Sequence, residues 1–199
     1  MLLYDSPVSG NCYKVRLLAA HLGVPLQRVT VDVIDQSNRP ELLGHLNPGL
    51  GVPTLVLDDG RPLGESSAIM WHLADGTSYV PDDPYERAQV LQWLFFEQDS
   101  HQPAIAGARF WLAYSGTPDR YRDQLPDRWR DGYAALDAME GHLASHDFLV
   151  GGCYTIADIG LYAYTHVAHE GGFDLGRYSA VRAWLDRVRA QAGHIPITA

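Results

Sequence analysis

Residues 46–60 read LNPGLGVPTLVLDDG, and the reading of the whole chain turns on them. Val52-Pro53 stands directly before Thr54-Leu55-Val56-Leu57, an apolar run short enough to be a buried strand. An X-Pro bond at such a place is a candidate cis peptide. It would leave the Val52 N–H and C=O to pair with an extended ligand, as another strand would. An ordinary trans proline opening a strand is the other reading. Asp59-Gly60 is a turn dipeptide, so 53–63 predicts a hairpin. Upstream, LLYD (2–5) is a short strand. From Asn11 to Leu22 the apolar positions Val15, Leu18, Ala19 and Leu22 keep the helical period, and Gly23-Val24-Pro25 ends that helix. QRVTVDVI (27–34) alternates and is β-branched, hence a strand. Pro40–Leu46 predicts a short helix with Asn38 as its cap. Downstream, Glu65–Leu73 is helical again. The order β-α-β-α-β-β-α defines a small α/β domain over residues 1–76.

Residues 75–84, DGTSYVPDDP, are rich in turn formers and read as a linker. Beyond it the period is helical almost throughout. Helices are expected over Arg87–Tyr114, Arg120–His142, Ile156–Val167 and Ser179–Ala192. The last carries Val181, Trp184, Leu185 and Val188 on one face. Residues 84–199 therefore form an all-helical domain.

The chain has 199 residues, 46% hydrophobic and 20% charged, enough to bury a core. A net charge of −9 argues against non-specific binding to nucleic acid or to an anionic membrane. No apolar run is long enough for a transmembrane helix, and the first residues, MLLYDSPVSG, do not read as a signal peptide. Fourteen arginines accompany one lysine, Lys14, a bias that reads as genomic composition and carries no functional message. The two cysteines, Cys12 and Cys153, make no disulfide framework and point to a cytoplasmic protein. The nine histidines are scattered without a metal-binding spacing, so no metal is expected. GxGxxG and GxxxxGK[ST] are both missing, which argues against dinucleotide and P-loop chemistry.

Four segments carry candidate chemistry. Ser6-Pro7-Val8-Ser9-Gly10-Asn11-Cys12 runs from the first strand into the first helix, where N–H groups favour negative charge. Ser9 there caps the helix, holds an anion, or both. Asn47–Leu55 contains the Val52-Pro53 step. Gly64-Glu65-Ser66-Ser67 places a carboxylate and hydroxyls at a helix start, as a plain cap or as a hold on a ligand's ammonium and carboxylate. Thr155-Ile156-Ala157-Asp158 is a T-x-x-D capping box that nucleates a core helix.

In this order and spacing, the four segments resemble the cytosolic glutathione S-transferase superfamily over essentially the whole chain. The residues that carry the resemblance are SGNCYKVRLLAAHLGVP, LNPGLGVPTLVLDDG, GESSAIMWHLAD and TIADIGLYAY. The resemblance implies a thioredoxin-like N-terminal domain that binds glutathione as co-substrate, an all-α C-terminal domain, and a homodimer. It implies a glutathione transferase that activates the thiol as thiolate for attack on a small hydrophobic electrophile. Ser9 matches the hydroxyl that donates to the glutathione sulfur in serine-type, bacterial-like members. Val52, before Pro53, matches the residue whose backbone pairs with the tripeptide, and Glu65 and Ser66 match the pair at its γ-glutamyl end.

Two departures stand out. Members often have Gly-Lys before the Val-Pro step; here the residues are Leu50-Gly51, so the cationic contact to the glycine carboxylate is lost, and affinity is either modest or supplied from elsewhere, by Gln36 or His45. Cysteine-type members carry a Cys where this chain has Asn11, so Asn11 assists or replaces Ser9. Cys12, one residue later, faces the core or is a reactive thiol. The resemblance also leaves open a glutathione-dependent isomerase, dehalogenase or disulfide reductase, and a non-catalytic binding member. The second-substrate pocket is expected between the first-helix loop and the long helix, with Val8, His101, Ile105, Arg109, Phe110 and Trp111 as candidate lining. Such an aromatic stripe is more often core than pocket, and His101 and Arg109 are also readable as solvated surface groups.

Overall fold

A computed structural model describes all residues 1–199. The chain divides into two compact units, Met1–Thr77 with Ala192–Ala199, and Ser78–Gln191. The last residues, grouped above with the helical half, thus belong with the α/β unit. No helix is long and apolar enough to cross a membrane.

The first unit is built on a sheet of β1 (Leu2–Asp5), β2 (Gln27–Thr30), β3 (Thr54–Val56) and β4 (Pro62–Gly64), in the order β2-β1-β3-β4. β1 runs parallel to β2 and antiparallel to β3, with Leu3 opposite Arg28 and Leu55. The parallel pair needs a crossover, and α1 (Gly10–Leu22) supplies it. α2 (Arg39–Leu43) and α3 (Ser66–Ala74) follow, and α3 packs against α1. Leu3, Val15, Leu55 and Ile69 are fully buried together between sheet and helices. Each such side chain contributes about 1.5–3 kcal/mol by leaving water.

Two elements stop short of the expected ranges. β2 ends at Thr30, not Ile34, because the Asp32 carboxylate accepts from the Ile34 and Asp35 N–H groups and turns the chain. α2 ends at Leu43, and Asn38 does not cap it. The Asn38 side chain instead accepts from the Asp32 N–H at 2.9 Å.

Residues 192–199 lie along α1. The Tyr13 hydroxyl donates to Ile195 O at 2.7 Å, Arg16 to Ile197 O at 2.6 Å, and Arg28 to Ala199 O at 2.8 Å. Arg16 also pairs with the buried Asp5 carboxylate. The carbonyls of Ser6 and Pro7 accept from the same guanidinium at 3.3 and 3.4 Å. One side chain therefore holds the loop before α1 to both β1 and the tail.

The second unit is helical. α4 (Pro84–Phe96) and α5 (Gln102–Arg109) are joined by a π turn, Glu97–His101, and a second π turn, Phe110–Tyr114, follows α5. The single helix expected over 87–114 is thus interrupted twice. Pro103 has no N–H for an ordinary helical bond, and the preceding turn is widened so that Gln102 N–H bonds Glu97 O. α6 (Leu125–Leu143) begins at Pro126's turn, where proline is tolerated. Gly132 lets Phe173 pack close, since a Cβ there would lie 2.5 Å from the ring. α7 (Ile156–Thr165) is buried along its length, and α8 (Ser179–Arg189) buries Val181, Trp184, Leu185 and Val188.

The capping box at Thr155 forms, with both reciprocal bonds made. Its Asp158 carboxylate also accepts from Leu149 N–H at 3.0 Å and Trp184 Nε1 at 2.9 Å. It is fully buried, and burial pushes its carboxyl up to about 6 against the pull of those donors. It serves as a structural hub.

Candidate functional site

The loop between β1 and α1 is shaped by its own backbone. Ser9 N–H bonds Ser6 O at 3.0 Å, and the Ser9 side chain accepts from Cys12 N–H at 3.3 Å. Ser9 is therefore the N-cap of α1. The same hydroxyl also hydrogen-bonds the Cys12 thiol, a pull downward on that thiol weaker than the effect of its burial. Ser9 and Asn11 are both half-buried in the first turn.

Cys12 does not fit the role of a reactive thiol. It is fully buried, its sulfur accepts the Ser6 N–H at 3.3 Å, and burial pushes its thiol up to about 12, with the Asp5 carboxylate adding to the rise. Nucleophilic cysteines need the opposite, a partly exposed and electropositive setting. The core-facing alternative is the one the structure realises.

The Val52-Pro53 peptide is cis. Asn47 holds the loop before it: its Nδ2 donates to Gly51 O at 3.2 Å and to Thr54 Oγ1 at 2.9 Å, while its Oδ1 accepts from Gly49 N–H. Gly64 is where the strand passes this side chain, since a Cβ there would lie 3.0 Å from Asn47 Nδ2. The Val52 N–H and C=O, beyond the end of β3, bond no other group of the chain. Asn47 and Thr54 were not singled out by residue type, since a bond to a loop carbonyl leaves no period or motif behind.

The start of α3 is unusual. Glu65, its N-terminal flanking residue, is exposed and has φ +65°, a region that costs a non-glycine residue about 1–3 kcal/mol. Leu50 and Gln36 also have positive φ, +51° and +62°. All three stand at positions the sequence reading selected or flanks. Leu50 holds a left-handed backbone, the region that favours glycine. Gln36 and His45 lie exposed on either side of α2.

Lys14 joins two of these segments. It is fully buried on α1, and its Nζ donates to Asn11 Oδ1 at 2.8 Å and to Ser66 Oγ at 3.4 Å. The first turn of α1 and the first turn of α3 therefore meet through one ammonium. Sequence reasoning passed over this residue. The available signal was a lone lysine at a position that the helical period places toward the sheet.

The second-substrate candidates divide. His101 is fully buried and its Nε2 lies 2.8 Å from Thr165 Oγ1. That hydroxyl donates to Leu161 O at 2.7 Å, so His101 Nε2 carries the proton. Ile105 is fully buried. Arg109 is buried and donates to Glu170 Oε2 and the Tyr114 hydroxyl, each at 2.8 Å. These three side chains are committed inside the helical unit, and the solvated-surface reading of His101 and Arg109 does not hold. Val8 and Phe110 remain half-buried. Trp111 stacks on Tyr121 at 4.8 Å between ring centroids. No group of three or more His, Cys, Asp or Glu is placed to hold a metal ion.

Comparison with known proteins identifies relatives over most of the chain. Residues 8–75 match the family model described as glutathione S-transferase, N-terminal domain, and residues 122–187 match glutathione S-transferase, C-terminal domain. The chain is similar to a crystal structure of glutathione S-transferase from Pseudomonas fluorescens, with 46% identity, a TM-score of 0.96, and coverage of 100% of this chain and 98% of that one. A glutathione S-transferase structure from Xanthobacter autotrophicus is 42% identical, with a TM-score of 0.94 and coverage of 98% and 96%. Glutathione S-transferase D7 of Drosophila melanogaster is 27% identical over 190 residues, 92% of this chain and 81% of that protein.

Proposed function

The chain belongs to the cytosolic glutathione S-transferase superfamily, and on that premise we propose that it is a glutathione transferase acting on a small hydrophobic electrophile. The observation that carries the reading is the meeting of Asn11 and Ser66 on Lys14, which brings the candidate thiol end and the candidate γ-glutamyl end of one ligand site together.

In this reading the Val52 backbone pairs with the cysteinyl part of the tripeptide as an added strand. Glu65 and Ser66 take the γ-glutamyl ammonium and carboxylate. Gln36 or His45 takes the glycine carboxylate, since Gly51 carries no side chain to do so. The Ser9 hydroxyl donates to the glutathione sulfur and the Asn11 amide assists.

The energy scale suffices. A free thiol ionises near pH 8.5. Half-ionising it at neutral pH requires about 2 kcal/mol of thiolate stabilisation. A hydrogen bond to a charged group is worth about 1.5–3 kcal/mol, and a helix N-terminus adds about 0.3–1. The thiol proton leaves to solvent, and the sulfur lone pair forms the C–S bond as the leaving group departs or the electrophile's π bond accepts the pair. Val8, half-buried beside Ser9, stays proposed for contact with the electrophile. Exposed Leu91 and Phe95, a turn apart on α4, support a homodimer, which light scattering would test.

The decisive experiment follows the ultraviolet absorbance of bound glutathione thiolate against pH in the parent, Ser9→Ala, Asn11→Ala and Cys12→Ala. The expected result is a thiol titrating well below its solution value in the parent and in Cys12→Ala. Its pKa should be raised by about one unit or more in Ser9→Ala. No thiolate at neutral pH in the parent would replace the transferase reading with a binding role.

A further inference from the structure

We propose that Arg16 is a positioning residue for the thiol end of the site: clamped between the Asp5 carboxylate and the segment 192–199, its guanidinium fixes the turn that presents Ser9 and balances the Asp5 charge. The inference rests on the reading of that site as a glutathione site. Arg16 and Asp5 are both buried and form an ion pair. A buried pair adds little net stability over apolar side chains of the same volume. What this pair adds is placement. Nη1 of the fork serves Asp5 and also Ser6 O, at 3.3 Å. Nη2 donates to Pro7 O at 3.4 Å and to Ile197 O at 2.6 Å. The Ser6 carbonyl accepts in addition from Ser9 N–H at 3.0 Å. One side chain therefore holds the turn from β1 to Ser9 at two carbonyls. Its Ile197 anchor is itself fixed on either side, since Ile195 O accepts from Tyr13 and Ala199 O from Arg28.

Charge acts here as well as place. The Cys12 sulfur lies in the same turn as Ser9, and both charges register on it. After burial itself, the Asp5 carboxylate raises that thiol, whereas the Arg16 guanidinium lowers it. A glutathione sulfur at the Ser9 hydroxyl feels the same two charges with the same signs. Asp5 opposes a thiolate there and Arg16 favours one. Lysine at this position keeps the charge but loses the planar fork that reaches several acceptors at once.

The test compares the parent, Arg16→Lys, Asp5→Asn, Ser9→Ala and the double variant Ser9→Ala with Arg16→Lys, all as full-length chains. Two readouts are used: the pH titration of bound glutathione thiolate, and the affinity for S-hexylglutathione, which has no thiol to ionise. Arg16→Lys should raise the thiol pKa by about half a unit, roughly a threefold loss of thiolate. In the Ser9→Ala background the same substitution should add much less, because its effect passes through Ser9. Asp5→Asn keeps an acceptor for Arg16 and removes the opposing charge, so it should lower the thiol pKa by about half a unit. Loosened packing has no such sign. S-hexylglutathione should bind both single variants within about twofold of the parent. A depressed parent thiol that Arg16→Lys leaves unmoved, or that Asp5→Asn fails to lower, overturns the proposal while the transferase reading stands. So does an equal Arg16→Lys shift without Ser9, or a several-fold loss of S-hexylglutathione affinity in Arg16→Lys, which makes Arg16 a scaffold residue only. A parent that holds no thiolate at neutral pH overturns both readings. Should Arg16→Lys not fold, the sign of the Asp5→Asn shift decides alone.

Discussion

Cys12 and Cys153 differ by environment alone. Cys12 is sealed under the first turn of α1 and its thiol is held up near 12, whereas Cys153 is exposed. A thiol alkylates only as its thiolate and only where reagent can reach it. Iodoacetamide under native conditions should therefore label Cys153 and leave Cys12 unmodified until the protein is unfolded, as mass mapping of the labelled peptides would show. Native labelling of Cys12 would restore it as a candidate nucleophile. The same burial takes Cys12 out of thiol–disulfide exchange, which needs an accessible thiolate. Residue type at this spacing left the two fates of Cys12 open, and desolvation by the surrounding fold decided between them.

At the scale of the element, α8 shows how one helix starts another. Its own flanking residue, Tyr178, makes no side-chain cap. Glu140 of α6 supplies it, accepting from Ala180 N–H at 3.0 Å, Val181 N–H at 2.9 Å and the Ser179 hydroxyl at 3.3 Å. Burial acts to raise this carboxyl, but the N–H donors outweigh it and hold it below the ordinary glutamate value of 4.5. A depressed folded-state value means that the stabilisation is present above 4.5 and is lost as pH falls through the folded value. Glu140→Ala should cost about 1 kcal/mol at neutral pH by urea unfolding, and the difference from the parent should shrink as the pH falls below 4.5. The opposite pH trend from Asp158, whose carboxyl is raised, is common to both proteins and cancels in the difference. A constant difference across pH would assign the effect to packing instead of charge. The capping box at Thr155 was readable as S/T-x-x-D. The Glu140 cap was not, because its partners stand about forty positions apart.

At the scale of the whole molecule, the chain's two ends share a unit. Removing residues 194–199 takes away His194 Nε2 and the Ile195 and Ile197 carbonyls, the groups of the tail to which the Tyr13 hydroxyl and one arm of Arg16 are bonded. Each buried donor so exposed costs about 1–3 kcal/mol. The truncated protein should melt several degrees lower and hold bound thiol at a higher pKa, since Arg16 also holds the Ser6 and Pro7 carbonyls of the loop before Ser9. An unchanged melting temperature would show that the tail is merely laid on the surface. The sequence by itself determined the alternation of strand and helix in the first unit, the helical second half, the Val52-Pro53 turn and the cap at Thr155, because period, turn chemistry and capping act within a few residues. Only the tertiary structure decided that His101, Ile105 and Arg109 lie inside, that the tail belongs with α1, and that Lys14 spans Asn11 and Ser66. Those outcomes depend on which distant groups meet out of water, and Lys14 and Ser66 stand 52 positions apart. No local pattern records such a meeting, since its energy comes from desolvation and pairing across the fold.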